Sequence, residues 1–136
     1  MLSVRLDSPV PIGEQILAGV RALIALGSLN PGDELPPVRQ LAGDLGVNLN
    51  TVARAYRALE ADGLVRTARG RGTRVTAATE RPTGSPAEVR ARLESTLTAA
   101  VADMKLAALS RDDAAQLITD LLNRYWPDAN QKGEPS

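Results

Sequence analysis

Apolar residues recur near the N-terminus at spacings of three and four: Ile12, Ile16, Val20, Leu23 and Ile24 share one side of a helical wheel, with Glu14, Gln15 and Arg21 opposite. The pattern predicts a helix over residues 12–26, with Pro11 in its first turn, where the fixed φ of proline fits. Gly27-Ser28-Leu29-Asn30-Pro31-Gly32-Asp33 stacks turn formers that end it, and Leu35 before Pro36-Pro37 leaves room only for a short extended segment. Val38, Leu41, Ala42 and Leu45 then mark a second helix over residues 38–45, with Gly46 suited to the left-handed position past its end. Asn48 can cap a third helix over residues 49–62 by accepting an N–H from Asn50 or Thr51, and Gly63 can close it. Residues 64–67 and 73–76 read as two strands joined by the glycine-containing tip Ala68-Arg69-Gly70-Arg71-Gly72.

The apolar period lapses over residues 77–86, where Thr79, Glu80, Arg81, Pro82, Thr83, Gly84 and Ser85 read as a linker. It resumes with Val89, Leu93, Leu97, Val101 and Met104 on a helix reaching about Leu109. Ser110, with Asp113 three residues on, starts a last helix carrying Leu117, Ile118, Leu121, Leu122 and Tyr125. Residues 127–136 are too polar and broken to pack, and read as a flexible tail. The expected fold class is mainly α with a small β-hairpin: a winged helix-turn-helix over residues 1–76, a linker over 77–86, and a two-helix dimerisation region over 87–126. Two short helices bury too little surface to stand alone, so their apolar arcs need each other and a further surface. That surface is either the first domain or the same pair from a second subunit. A homodimer is the economical expectation, and padding of the first helix is the alternative.

Composition narrows the chemistry. The 136 residues contain no cysteine and no histidine, which removes disulfides, thiolate nucleophiles and imidazole ligands or bases. The carboxylates are scattered along surface faces, so no enzyme, metal site or cofactor is expected. No apolar run reaches the roughly eighteen residues of a bilayer span, and the N-terminus lacks a secretory pattern, so no membrane contact and a cytoplasmic location are expected. The formal net charge of zero divides unevenly: residues 1–76 hold nine Arg against seven Asp and Glu, while residues 77–136 hold seven basic against nine acidic. Arg54, Arg57, Arg66, Arg69, Arg71 and Arg74 crowd one stretch whose only carboxylates are Glu60 and Asp62.

At about 100° per residue, Val52, Tyr56 and Leu59 of the third helix point one way, while Asn50, Arg54 and Arg57 point the other. Ala53 and Ala61 leave room for close approach. An amide and two guanidiniums on one face match the donor and acceptor pattern of base edges and phosphates. The plainer reading is a solvated face in which the arginines pair with Glu60. The preceding short helix and tight turn make this a helix-turn-helix, which sets its second helix in the major groove, and the arginine-tipped hairpin follows as a wing for the minor groove or phosphates. A winged helix devoted to protein contacts is the rival reading. RNA is disfavoured because the exposed faces lack aromatic platforms for unstacked bases.

Pro11-Ile12, Leu29-Asn30-Pro31-Gly32-Asp33-Glu34-Leu35-Pro36, Val38-Arg39-Gln40-Leu41-Ala42, Leu45-Gly46-Val47-Asn48, Asn50-Thr51-Val52, Gly63-Leu64-Val65 and Arg69-Gly70-Arg71-Gly72-Thr73 together resemble the signature of the GntR family of bacterial transcription regulators, over about residues 10–76. The run from Asn48 to Tyr56 and the short C-terminal part resemble its YtrA-like branch. The resemblance implies operator binding by a winged helix, with DNA contacts at Arg39, Asn48, Asn50, Thr51, Arg69 and Gly70. Arg54, Arg57 and Arg71 join them from the face and tip analysis. Many relatives carry arginine where this chain has Leu49 and Ala53, so their base contacts do not transfer. The expected partners are a double-stranded DNA operator and a second copy of the chain, held through Leu93, Leu97, Val101, Met104, Leu117, Ile118, Leu121, Leu122 and Tyr125.

Overall fold

A computed structural model describes residues 2–81 and 84–127. It is mostly helical, with one two-stranded antiparallel hairpin. The chain divides into two compact units, Met1–Pro82 and Thr83–Ser136.

In the first unit, α1 (Ile12–Ala25), α2 (Val38–Leu45) and α3 (Leu49–Ala61) precede β1 (Val65–Ala68) and β2 (Gly72–Val75). The core gathers Ile16 and Val20 of α1, Leu41 and Ala42 of α2, Val52, Ala55, Tyr56 and Leu59 of α3, and Val65 of β1. Each set recurs at the spacing of its element, so every helix buries one stripe, and α3 packs against both α1 and α2. Order and fold match the winged helix-turn-helix expected from the pattern. Boundaries move by a residue or two: α1 ends at Ala25, α3 at Ala61, and Pro11 stands just before the helix as its N-cap.

Local chemistry sets the turn between α2 and α3. Gly46 closes α2 at φ 69°, where a side chain would meet the backbone, and Asn48 opens α3 by accepting the Asn50 N–H at 2.7 Å. Tyr56 adds a longer reach, its hydroxyl donating to the Pro36 carbonyl at 2.6 Å and so tying the middle of α3 to the entry of α2.

The sequence pattern undercounts the sheet. The segment before Pro36 is expected as a bare extended stretch, yet Leu35 N–H donates to Thr73 O at 2.8 Å, Val75 N–H to Asp33 O at 2.9 Å and Gly32 N–H to Val75 O at 2.9 Å. Leu35 is buried, so the pairing accompanies its descent into the core. Leu2 and Val4 also pack on this core, and the Gln15 amide clamps the chain ahead of α1 by donating to Arg5 O and Val10 O. That N-terminal strap has no periodic signal. After β2 the expected linker begins with a 3-10 turn, Ala78–Glu80, and Arg81 donates back to Thr76 O at 3.1 Å.

The second unit contains α4 (Pro86–Leu106) and α5 (Arg111–Tyr125). Ser85 and Glu88 form a reciprocal capping box at the start of α4, and Ser85's amide and hydroxyl hold the Glu88 carboxyl below its usual range. α4 stops at Leu106, short of the expected Leu109, because Ala108 turns left-handed at φ 66° and Leu109 N–H returns to Met104 O. Ser110 then caps α5 by accepting the Asp113 N–H at 3.0 Å. No described residue of either helix is buried: Leu93, Leu97, Val101, Leu117, Leu121 and Leu122 are exposed, and Met104, Ile118 and Tyr125 are partly covered. Of the tail expected to be flexible, residues 128–136 lie outside the described residues.

Tyr56→Phe removes the tie to Pro36 and should cost about 1 kcal/mol in urea unfolding at neutral pH. Burial pushes the Tyr56 phenol up to about 12, so it favours folding fully below its ordinary value near 10, and that contribution drains away as pH rises through about 12. Tyr56→Phe should lack this part of the alkaline loss; an equal loss in both proteins would remove Tyr56 as its source. Asn48→Ala should also cost about 1 kcal/mol and Asn48→Ser only a few tenths, because serine still caps.

Candidate nucleic-acid interface

The capped N-terminus of α3 faces solvent. Asn48 and Asn50 are exposed there, followed by Arg54 and Arg57 on the side away from the core. Thr51 sits differently: it is partly buried, and a side chain at Gly13 would begin 3.6 Å from its methyl group. Arg54 also leans toward α1, lining an open groove with Pro11, Ile12, Gly13 and Thr51. Arg39 is exposed in the first turn of α2.

The wing tip forms by the local rules its sequence suggests. Arg71 N–H donates to Ala68 O at 2.9 Å, closing a turn whose second central residue is Gly70 at φ 78°. Arg69 and Arg71 are exposed on either side of that glycine. Gly72, read from the pattern as part of the tip, begins β2 and pairs with Ala68.

Ion pairing sorts the basic stretch into two groups. Arg66 pairs with Glu80 at 3.9 Å and Arg74 with Glu34 at 3.4 Å, Arg74 also donating to Gly32 O at 2.9 Å. Neither carboxylate is close in sequence to its arginine, which is why a count along the chain treats all six arginines alike. Among the described residues, Arg39, Arg54, Arg57, Arg69 and Arg71 have no carboxylate within 4.0 Å. Among the described residues Arg54 and Arg57 do not pair with Glu60, whose Oε2 instead accepts the Thr67 N–H at 3.1 Å and braces α3 against the wing. Asp62 is likewise engaged, by Arg21 of α1 at 2.7 Å. The carboxylates nearest in sequence to Arg54 and Arg57 therefore serve the fold. No described helix is long and apolar enough to cross a membrane.

Residues 12–75 match the profile of the bacterial regulatory proteins of the GntR family. The chain is 45% identical over 73 residues to the HTH-type transcriptional repressor YtrA of Bacillus subtilis, a match covering 54% of this chain and 56% of that protein, so it spans little more than half the length of that relative. Its structure is similar to that of a transcriptional antiterminator from Listeria monocytogenes EGD-e, with TM-score 0.77, 26% identity and 92% of each chain covered. It is also similar to YtrA from Sulfolobus acidocaldarius, a GntR-family transcription factor, with TM-score 0.58 and 35% identity over 74% of this chain and 97% of that one. The DNA-binding domain of AraR in complex with operator ORX1 shares the arrangement at TM-score 0.51 and 26% identity, over 55% of this chain and 96% of that one. With its profile match lying on the helix-turn-helix and wing described above, and a member of the same branch aligned over nearly its whole length, the chain belongs to the GntR family of bacterial regulatory proteins.

Proposed function

We propose that this protein is a cytoplasmic transcription regulator, a homodimeric repressor that binds a two-fold symmetric operator in duplex DNA and carries out no catalysis. The observation that carries the reading is the exposed set of Arg39, Asn50, Arg54, Arg57, Arg69 and Arg71, which has no carboxylate partner among the described residues, on a fold similar to the AraR DNA-binding domain whose structure is a complex with an operator. The name of the Bacillus subtilis relative supports the sign of regulation.

In this reading α3 enters the major groove. Asn50 and Arg57 reach base edges or phosphates, Arg39 and Asn48 fix the helix on the backbone, and Arg69, Gly70 and Arg71 approach the minor groove. The dimer is supported by the exposed leucines of α4 and α5, apolar side chains whose contact with water is unfavourable. Two half-sites about one helical turn apart would then be bound with the gain of bivalency.

Selection of genomic fragments with the purified protein, followed by titration of the enriched duplex, tests the function; a symmetric site bound far more tightly than random duplex is expected, and no enrichment would sink the reading. Asn50→Ala or Arg57→Ala should weaken specific binding by about 1–3 kcal/mol if each meets a base edge, with little loss on random DNA. Equal losses on both duplexes would reassign the residue to phosphate. Leu97→Glu with Leu121→Glu should give a folded monomer in sedimentation, with operator affinity reduced by orders of magnitude; a protein that stays dimeric would move the interface off these helices.

A further inference from the structure

The two faces of the wing differ. Val65 and Val75 stand opposite each other and are buried toward α3, and the Thr67 and Thr73 hydroxyls share that face at 2.9 Å. Side chains alternate along a strand, so the other pairs, Arg66 with Arg74 and Ala68 with Gly72, face outward. Two guanidiniums directly opposite on neighbouring strands repel unless an anion lies between or beside them. Arg71 extends the row, and all three arginines border one open groove of about 370 Å³ with Glu80.

The anions beside this row are exposed carboxylates. Glu80 approaches Arg66 only to 3.9 Å, with both side chains largely exposed, and Glu34 approaches Arg74 to 3.4 Å. Glu34 reaches that place over Gly72, where any side chain would begin 2.5 Å from its carboxylate oxygen. Three cations and two carboxylates leave the face one charge short of neutrality, and Arg71 has no carboxylate partner among the described residues. Exposed pairs of this length contribute little to stability and exchange readily for a stronger anion.

We propose that the outer face of the wing is a phosphate-binding surface distinct from its tip. Arg66 takes a DNA backbone phosphate beside the groove the tip enters, and Glu80 is a competing internal anion that the phosphate displaces from it. Glu80 thereby sets how strongly the wing holds DNA of any sequence. This rests on the proposed DNA binding and adds a contact without sequence information, one that operates by exchange of one anion for another. The fold loses little, since Arg66 and Glu80 are both at the surface.

The test uses the full chain and its Glu80→Gln, Arg66→Gln and doubly substituted forms, titrated on the selected operator and on a random duplex over a range of salt. Glu80→Gln should tighten both duplexes several-fold, with a steeper dependence on salt. Arg66→Gln should weaken both and flatten that dependence by about one counterion. In the double variant the gain from Glu80→Gln should vanish, because the cation it releases is gone. A gain that persists without Arg66, or variants that bind as the parent does while the parent still binds its operator, would overturn this surface and leave the regulator intact. A parent protein that binds neither duplex would overturn both.

Discussion

Burial of one side of α3 is the constraint on which the first unit depends. Val52, Ala55, Tyr56 and Leu59 fill the space between α1, α2 and the wing, and Val52 and Leu59 have no exposed surface at all. A helix held on one side must present its other side to water, so orientation of the polar face is a consequence of packing. The Tyr56 hydroxyl sharpens this by bonding the chain just before α2. The Glu60 carboxylate does the same toward the wing through Thr67. A core residue and a surface residue thus fix the angle between three elements that a nucleic acid would have to meet together.

Electrostatics is divided by the same geometry. Carboxylates close in sequence to the arginines of α3 are taken by the fold: Glu60 by a backbone N–H and Asp62 by Arg21. Glu34 and Glu80 reach Arg74 and Arg66 from distant segments. A chain with no net charge nevertheless presents, on α3 and the wing tip, guanidiniums without a carboxylate partner among the described residues. Placement, rather than total charge, gives such a surface its affinity for an anionic polymer.

The second unit obeys a different rule. Its helices are well terminated by Ser85, Ser110 and the left-handed turn at Ala108, yet none of their described residues is buried. Capping defines where a helix starts and stops and contributes little toward hiding leucine from water. The leucines of α4 and α5 are the part of the molecule whose energetics are least complete within one chain. That is the physical reason the proposed dimer is placed on them.

Several features were legible in the residues because they are local. Helix periods, the Gly46 and Asn48 caps, the Ser110 cap and the glycine-bearing wing tip each depend on a few neighbouring positions, and the order of elements follows from them. The capping box of Ser85 and Glu88 was equally local, although its Ser85 sits in a stretch whose composition reads as linker. What the tertiary structure alone decided lies between distant segments: the added strand pairing of residues 32–35, the strap of Leu2 and Val4 over α1, the tie from Tyr56 to Pro36, and the partners of Arg66 and Arg74. In linear order the six clustered arginines are equivalent. Folding brings Glu34 and Glu80 to two of them and diverts Glu60 and Asp62 from the others, because distance in space, and not separation along the chain, determines which charges meet.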